Sequence, residues 1–145
     1  MELSCKSEYA LLALSELAAR YQSGEPLQIR QIAAQQNIPD RYLEQLLATL
    51  RRGGIVKSQR GAKGGYILAR EPWKITLLEV LVCLEGIEAR ATEEESKPRT
   101  LETAVVHEIW HEARQAANMV LQQHTLQNLC EQIAARRQLD IMYYI

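Results

Sequence analysis

Five of the seven glycines in this chain, Gly53, Gly54, Gly61, Gly64 and Gly65, crowd into one short stretch. Two β-prone runs, Ile55-Val56-Lys57-Ser58-Gln59 and Tyr66-Ile67-Leu68-Ala69, alternate with them, the pattern of a hairpin with a glycine-rich tip. Immediately upstream, Leu43, Leu46, Leu47 and Leu50 recur at helical spacing, which predicts a helix over about Pro39–Arg52 stopped by Gly53-Gly54. Asn37-Ile38-Pro39-Asp40 then reads as a tight turn, because proline cannot continue a helix but suits the first turn of the next. A backbone punctuated in this order has few folds open to it.

The flanking segments narrow the choice further. Ser7 to Tyr21 carries Tyr9, Leu11, Leu12, Leu14, Leu17 and Ala18 at helical spacing, and Gly24-Glu25-Pro26 breaks it. A short helix over Ile29–Gln36 has Ile29, Ile32 and Ala33 as its apolar face. Helix, short helix, turn, helix and basic hairpin are the order of a winged helix–turn–helix. Downstream, Thr76-Leu77-Leu78-Glu79 has capping-box spacing and opens a helix to about Leu84. Residues 87–99 are polar, acidic and read as a loop. A long helix follows over Leu101–Gln123, and Thr125 caps a last one that precedes an apolar tail. The expected class is mainly α, with a DNA-binding unit at 1–86, a loop at 87–99, and a dimerisation helix plus C-terminal helix at 100–145.

Net charge is only −1, but its distribution is uneven. Residues 1–68 hold nine Lys/Arg and six Asp/Glu, a balance of +3; residues 69–145 hold eight and twelve, a balance of −4. From Arg51 to Lys63 there are five basic residues and no acid, which on charge alone reads equally as a localised phosphate-binding face or as a solvated surface strip. Cys5, Cys83 and Cys130 are odd in number and widely spaced, which excludes a disulfide framework and any local metal motif. With no membrane-length apolar run and no signal-peptide pattern, the expected location is the cytoplasm.

On this scaffold the residues that suit DNA follow from groove chemistry. A helix fits the major groove, and side chains near its N-terminus reach base edges. Arg41 and Gln45, one turn apart, suit guanine and adenine; Tyr42 suits a phosphate or a thymine methyl; Glu44 suits cytosine N4 or the rejection of wrong bases. Arg60 at the hairpin tip suits a narrow minor groove. Arg51, Lys57, Ser58 and Lys63, with the backbone amides of Gly61, Gly64 and Gly65, suit phosphates, as do Ser4, Lys6 and Gln28. The R-G-A-K-G-G run lacks phosphate-loop spacing. A three-helix bundle with a hairpin that binds a partner protein instead of DNA would share the same periodicity and stays open as an alternative. No catalytic grouping emerges, so an enzyme is not expected.

The stretch 39–68, P-D-R-Y-L-E-Q-L-L-A-T-L-R-R-G-G-I-V-K-S-Q-R-G-A-K-G-G-Y-I-L, closely resembles the Rrf-two (Rrf2) family of transcription regulators, which includes IscR, NsrR and CymR. The opening S-C-K-S-E-Y-A-L-L-A-L-S-E-L-A and the later I-T-L-L-E-V-L resemble further segments of it. The resemblance implies a homodimer built on crossed long helices and a palindrome-like double-stranded operator; a repressor is one expectation, and the choice between repressor and activator stays open. Val105, Ile109, Trp110, Ala113, Ala116 and Val120 would form the dimer stripe. Several members hold an iron–sulfur cluster on three cysteines in the loop before the long helix. Here 87–99 contains no cysteine, so no cofactor is expected. As sensor candidates, Glu8 and His107 fall at positions used near the cluster in relatives but read more simply as a first-turn helix carboxylate and an interface or surface histidine, while Cys5, near the expected DNA face, is a more plausible redox-sensitive thiol than Cys83.

Overall fold

The computed structural model describes residues 3–85 and 100–143; the expected loop at 87–99 lies outside them. Helix α1 (Cys5–Ala19) is the central strut. Ser4 caps it, its Oγ accepting from the Ser7 amide at 3.1 Å, so the helix starts two residues earlier than its apolar spacing indicates. Its buried face, with Ala10, Ala13, Leu14 and Leu17, is lined by small and branched aliphatic side chains that let several elements approach at once.

Helix α2 (Ile29–Gln36) buries Ile32 and Ala33. It ends at Asn37, whose left-handed backbone (φ 54°) suits an asparagine at a helix C-terminus. Helix α3 (Asp40–Arg52) begins one residue later than expected, with Pro39 as its extended cap. The four leucines of its predicted inward face, Leu43, Leu46, Leu47 and Leu50, are all buried. Strands β1 (Val56–Gln59) and β2 (Gly65–Leu68) pair antiparallel, Val56 with Leu68 and Gln59 with Gly65. Residues 60–64 form the tip.

One pairing was not legible in the local pattern. Leu27 forms a β-bridge to the outer edge of β2, exchanging bonds with Tyr66 at 3.0 and 2.8 Å. Gly65 makes this approach feasible: its φ is +155°, and a Cβ there would stand 2.4 Å from the Leu27 carbonyl oxygen. The hairpin is therefore anchored to the turn between α1 and α2.

After a 3₁₀ turn at Pro72–Lys74, helix α4 (Leu77–Glu85) buries Val80 and Leu84. The Thr76 hydroxyl accepts from the Glu79 amide at 3.2 Å, but the Glu79 carboxylate pairs with Arg70, so only half of the expected capping box forms. Helix α5 (Leu101–Gln123) packs against α4 and has no buried residue. Helix α6 (Leu126–Tyr143) turns back onto α1 and absorbs most of the expected tail. The corner before α6 is tied down by the Leu77 amide on the His124 carbonyl and the Leu126 amide on the Ile75 carbonyl, both at 2.9 Å. Leu126 is fully buried in the same core as the helix–turn–helix.

Candidate nucleic-acid interface

Burying four leucines on one side of α3 forces its other side outward. Arg41, Glu44 and Gln45 are exposed on the first two turns, and Arg51 is exposed in the last. Lys57 and Ser58 project from β1, and Arg60, Gly61 and Lys63 are exposed at the tip. The Gly64 amide donates to the Gly61 carbonyl at 2.9 Å, which closes the tip. Gly64 and Gly65 are half-buried, and the approach of Gly65 to Leu27 gives it a structural role first.

Four expected contact residues sit differently from the sequence reading. Tyr42 is half-buried, its ring edge-on to Tyr9 of α1 with centroids 5.6 Å apart, so it packs against the core instead of standing free in solvent. The Lys6 ammonium donates to the Leu84 carbonyl at 3.1 Å, placing a cation where α4 exposes its terminal carbonyls. Ser4 spends its hydroxyl on capping α1. Gln28 caps α2, its amide donating to Gln31 Oε1 at 2.9 Å, while its own Oε1 accepts from Arg30 at 3.4 Å. Arg30, absent from the sequence-based set, thus adds an exposed guanidinium to the first turn of α2. Its position just after the cap of the first helix of the motif was the available signal.

The dimer-stripe candidates Val105, Ile109, Trp110, Ala113, Ala116 and Val120 are all exposed on α5, Ile109 by 62% and Trp110 by 56%. Glu8 is an exposed first-turn carboxylate of α1, Cys5 is exposed at its start, and His107 is half-buried on α5. Among the described residues no helix is long and apolar enough to cross a membrane.

Residues 3–132 match the Rrf2 family, described as iron-dependent transcriptional regulators. The chain belongs to the Rrf2 family. It is 36% identical over 149 residues to the HTH-type transcriptional regulator CymR of Bacillus subtilis, covering all of both chains. Among solved structures it is similar to IscR of T. potens, with a TM-score of 0.77 at 34% identity over 92% of this chain and 88% of that one. It is also similar to CymR, the global cysteine regulator of B. subtilis, with a TM-score of 0.73 at 36% identity, covering 90% of this chain and 97% of that one. This Rrf2 protein is a DNA-binding transcription regulator with a winged helix–turn–helix, not an enzyme.

Iron in the family description asks whether these residues fit an iron–sulfur cluster. Cys83 donates to the Thr49 carbonyl with Sγ at 3.7 Å, and Cys130 to the Ser15 carbonyl at 3.4 Å. Burial pushes both thiols above the ordinary value of 9.0, against the lowering effect of Arg52 and Lys6 on Cys83 and reinforced by Glu16 and Glu131 at Cys130. Such thiols resist becoming thiolate ligands. No cysteine lies in 86–99, and the described residues contain no group of three or more metal-ligating side chains. The donor set does not fit a cluster.

The same chemistry orders the thiols by reactivity, since the thiolate is the nucleophile. At pH 8 exposed Cys5 is expected to alkylate first. Cys83 and Cys130 should follow only as pH climbs above 9.0, where losing the proton favoured by the fold also begins to destabilise it. Peptide mapping after timed iodoacetamide treatment checks this; equal labelling of all three would contradict it.

Proposed function

We propose that this Rrf2 protein acts as a homodimer on a palindrome-like double-stranded operator, without an iron–sulfur cluster, and represses by occupying it. The supporting observation is exposure: Arg41 and Gln45 stand in solvent on the first turns of α3, and exposed Arg51, Lys57, Arg60 and Lys63 follow with no acid between Gln45 and Lys63. In this reading α3 enters the major groove, with Arg41 and Gln45 on base edges and Glu44 excluding wrong ones. Arg60 enters the adjacent minor groove. Lys57, Ser58, Lys63 and Arg51, with Arg30 and the Tyr42 hydroxyl, hold phosphates. Two such units are joined by pairing of the α5 stripes, which a single chain leaves in water.

An operator selected from a random DNA pool supplies the probe for fluorescence anisotropy. Gln45→Ala and Arg60→Ala are each expected to cost about 1–3 kcal/mol on that operator and to relax its sequence preference. Lys63→Ala should weaken all sequences similarly and flatten the salt slope by about 1. Parent-like titrations from all three would remove α3 and the hairpin from the DNA face. The alternative, a regulator whose winged helix binds a partner protein, predicts that no steep inverse salt dependence is found for any DNA.

A further inference from the structure

The bridge between Leu27 and Tyr66 begins a third strand that the chain does not continue. Antiparallel register would place Glu25 opposite Leu68, with Pro26 between. Tyr66 directs its amide and carbonyl toward Leu27, while the Ala69 amide bonds back to Ile55. Alternation along β2 therefore turns the amide and carbonyl of Leu68 to the outer edge as well. Leu68 is only 3% exposed, yet among the described residues neither group has a protein partner. The outer edge of β2 is thus open at Leu68 to a further extended backbone.

A cavity of about 350 Å³ opens at that gap. Leu17 and Ile67 give it apolar walls, and Arg20 and Glu25 stand at its edge as a loose pair, 3.8 Å apart. We propose that this is a binding site for a small peptide-like carboxylate, such as an N-acyl amino acid. The ligand's amide would complete the ladder at Leu68, its carboxylate would displace Glu25 on the Arg20 guanidinium, and its side chain would cover Leu17 and Ile67. Lys57 also lines the cavity. If the DNA reading above holds, an occupant here competes with a phosphate for that ammonium and lowers operator affinity.

The first test needs neither ligand nor DNA. The Leu68 amide should exchange hydrogen markedly faster than that of Tyr66; equal protection would mean the ladder is closed and would overturn the proposal. Titrating the intact protein with N-acetyl-L-leucine should then shift the Leu68 and Ala69 amide resonances saturably, with a dissociation constant on the order of millimolar. The N-methylamide of the same compound, which lacks the carboxylate, should bind roughly ten-fold more weakly. Arg20→Ala should weaken N-acetyl-L-leucine by a similar factor, and Glu25→Gln, which releases Arg20, should tighten it. Both side chains are substantially exposed, so folding is preserved. An absence of saturable shifts, or binding indifferent to Arg20, refutes the site while leaving the DNA reading untouched. The operator titration is repeated with N-acetyl-L-leucine only afterwards.

Discussion

Ile109→Asp is expected to leave the chain monomeric and, if the proposed pairing through α5 holds, to lower operator affinity by about 10²–10⁴-fold, because two half-sites would no longer be held by one linked pair of recognition units. Ile109 lies in the apolar stripe of α5 and is 62% exposed in the single chain. Pairing would desolvate it, and an aspartate there would bury an uncompensated carboxylate on each side of the seam. The single-chain fold should survive, since α5 contributes no buried residue to it. Analytical ultracentrifugation gives the mass, circular dichroism the helix content, and anisotropy the affinity. Glu108→Gln, on the same turn but off the stripe, serves as the control. A fully dimeric Ile109→Asp protein with parent affinity would move the interface away from α5.

Gly65→Ala is expected to destabilise the fold by about 3 kcal/mol or more. The added Cβ would stand 2.4 Å from the Leu27 carbonyl oxygen and 2.6 Å from its carbon, both backbone atoms that cannot swing aside. Its φ of +155° adds a conformational cost of roughly 1–3 kcal/mol. Gly24→Ala separates the two contributions. Gly24 also has a positive φ, +69°, but nothing lies within 4 Å of its virtual Cβ, so about 1–2 kcal/mol is expected. Denaturant unfolding measures both. Equal losses at the two positions would show that the Leu27 approach is not what demands glycine.

How much of this architecture was legible depends on how local its cause is. The inward face of α3 was readable because four leucines at helical spacing identify a buried stripe whatever buries it. The hairpin was readable because its glycines and β-prone runs adjoin. Helix α5 was readable from its long amphipathic pattern, and α2 from Ile29, Ile32 and Ala33. The misplaced residues have causes far away in the chain. Lys6 looked like a free cation until α4 brought the Leu84 carbonyl to it. Tyr42 looked outward until α1 presented Tyr9. Glu79 matched a capping box by spacing, yet Arg70 offered its carboxylate a charged partner that the pattern does not register.

Amino-acid order alone determined the helices, the turn, the glycine-tipped hairpin and the absence of a cysteine set between α4 and α5, because each rests on spacing or residue type within a few turns of chain. Tertiary structure alone decided that Leu27 edges the hairpin, that the 124–126 corner locks onto 75–77, and that Leu126 enters the helix–turn–helix core. Those contacts join backbone groups or aliphatic side chains that have many equivalent partners in the sequence. Only the packing of the whole chain selects among them.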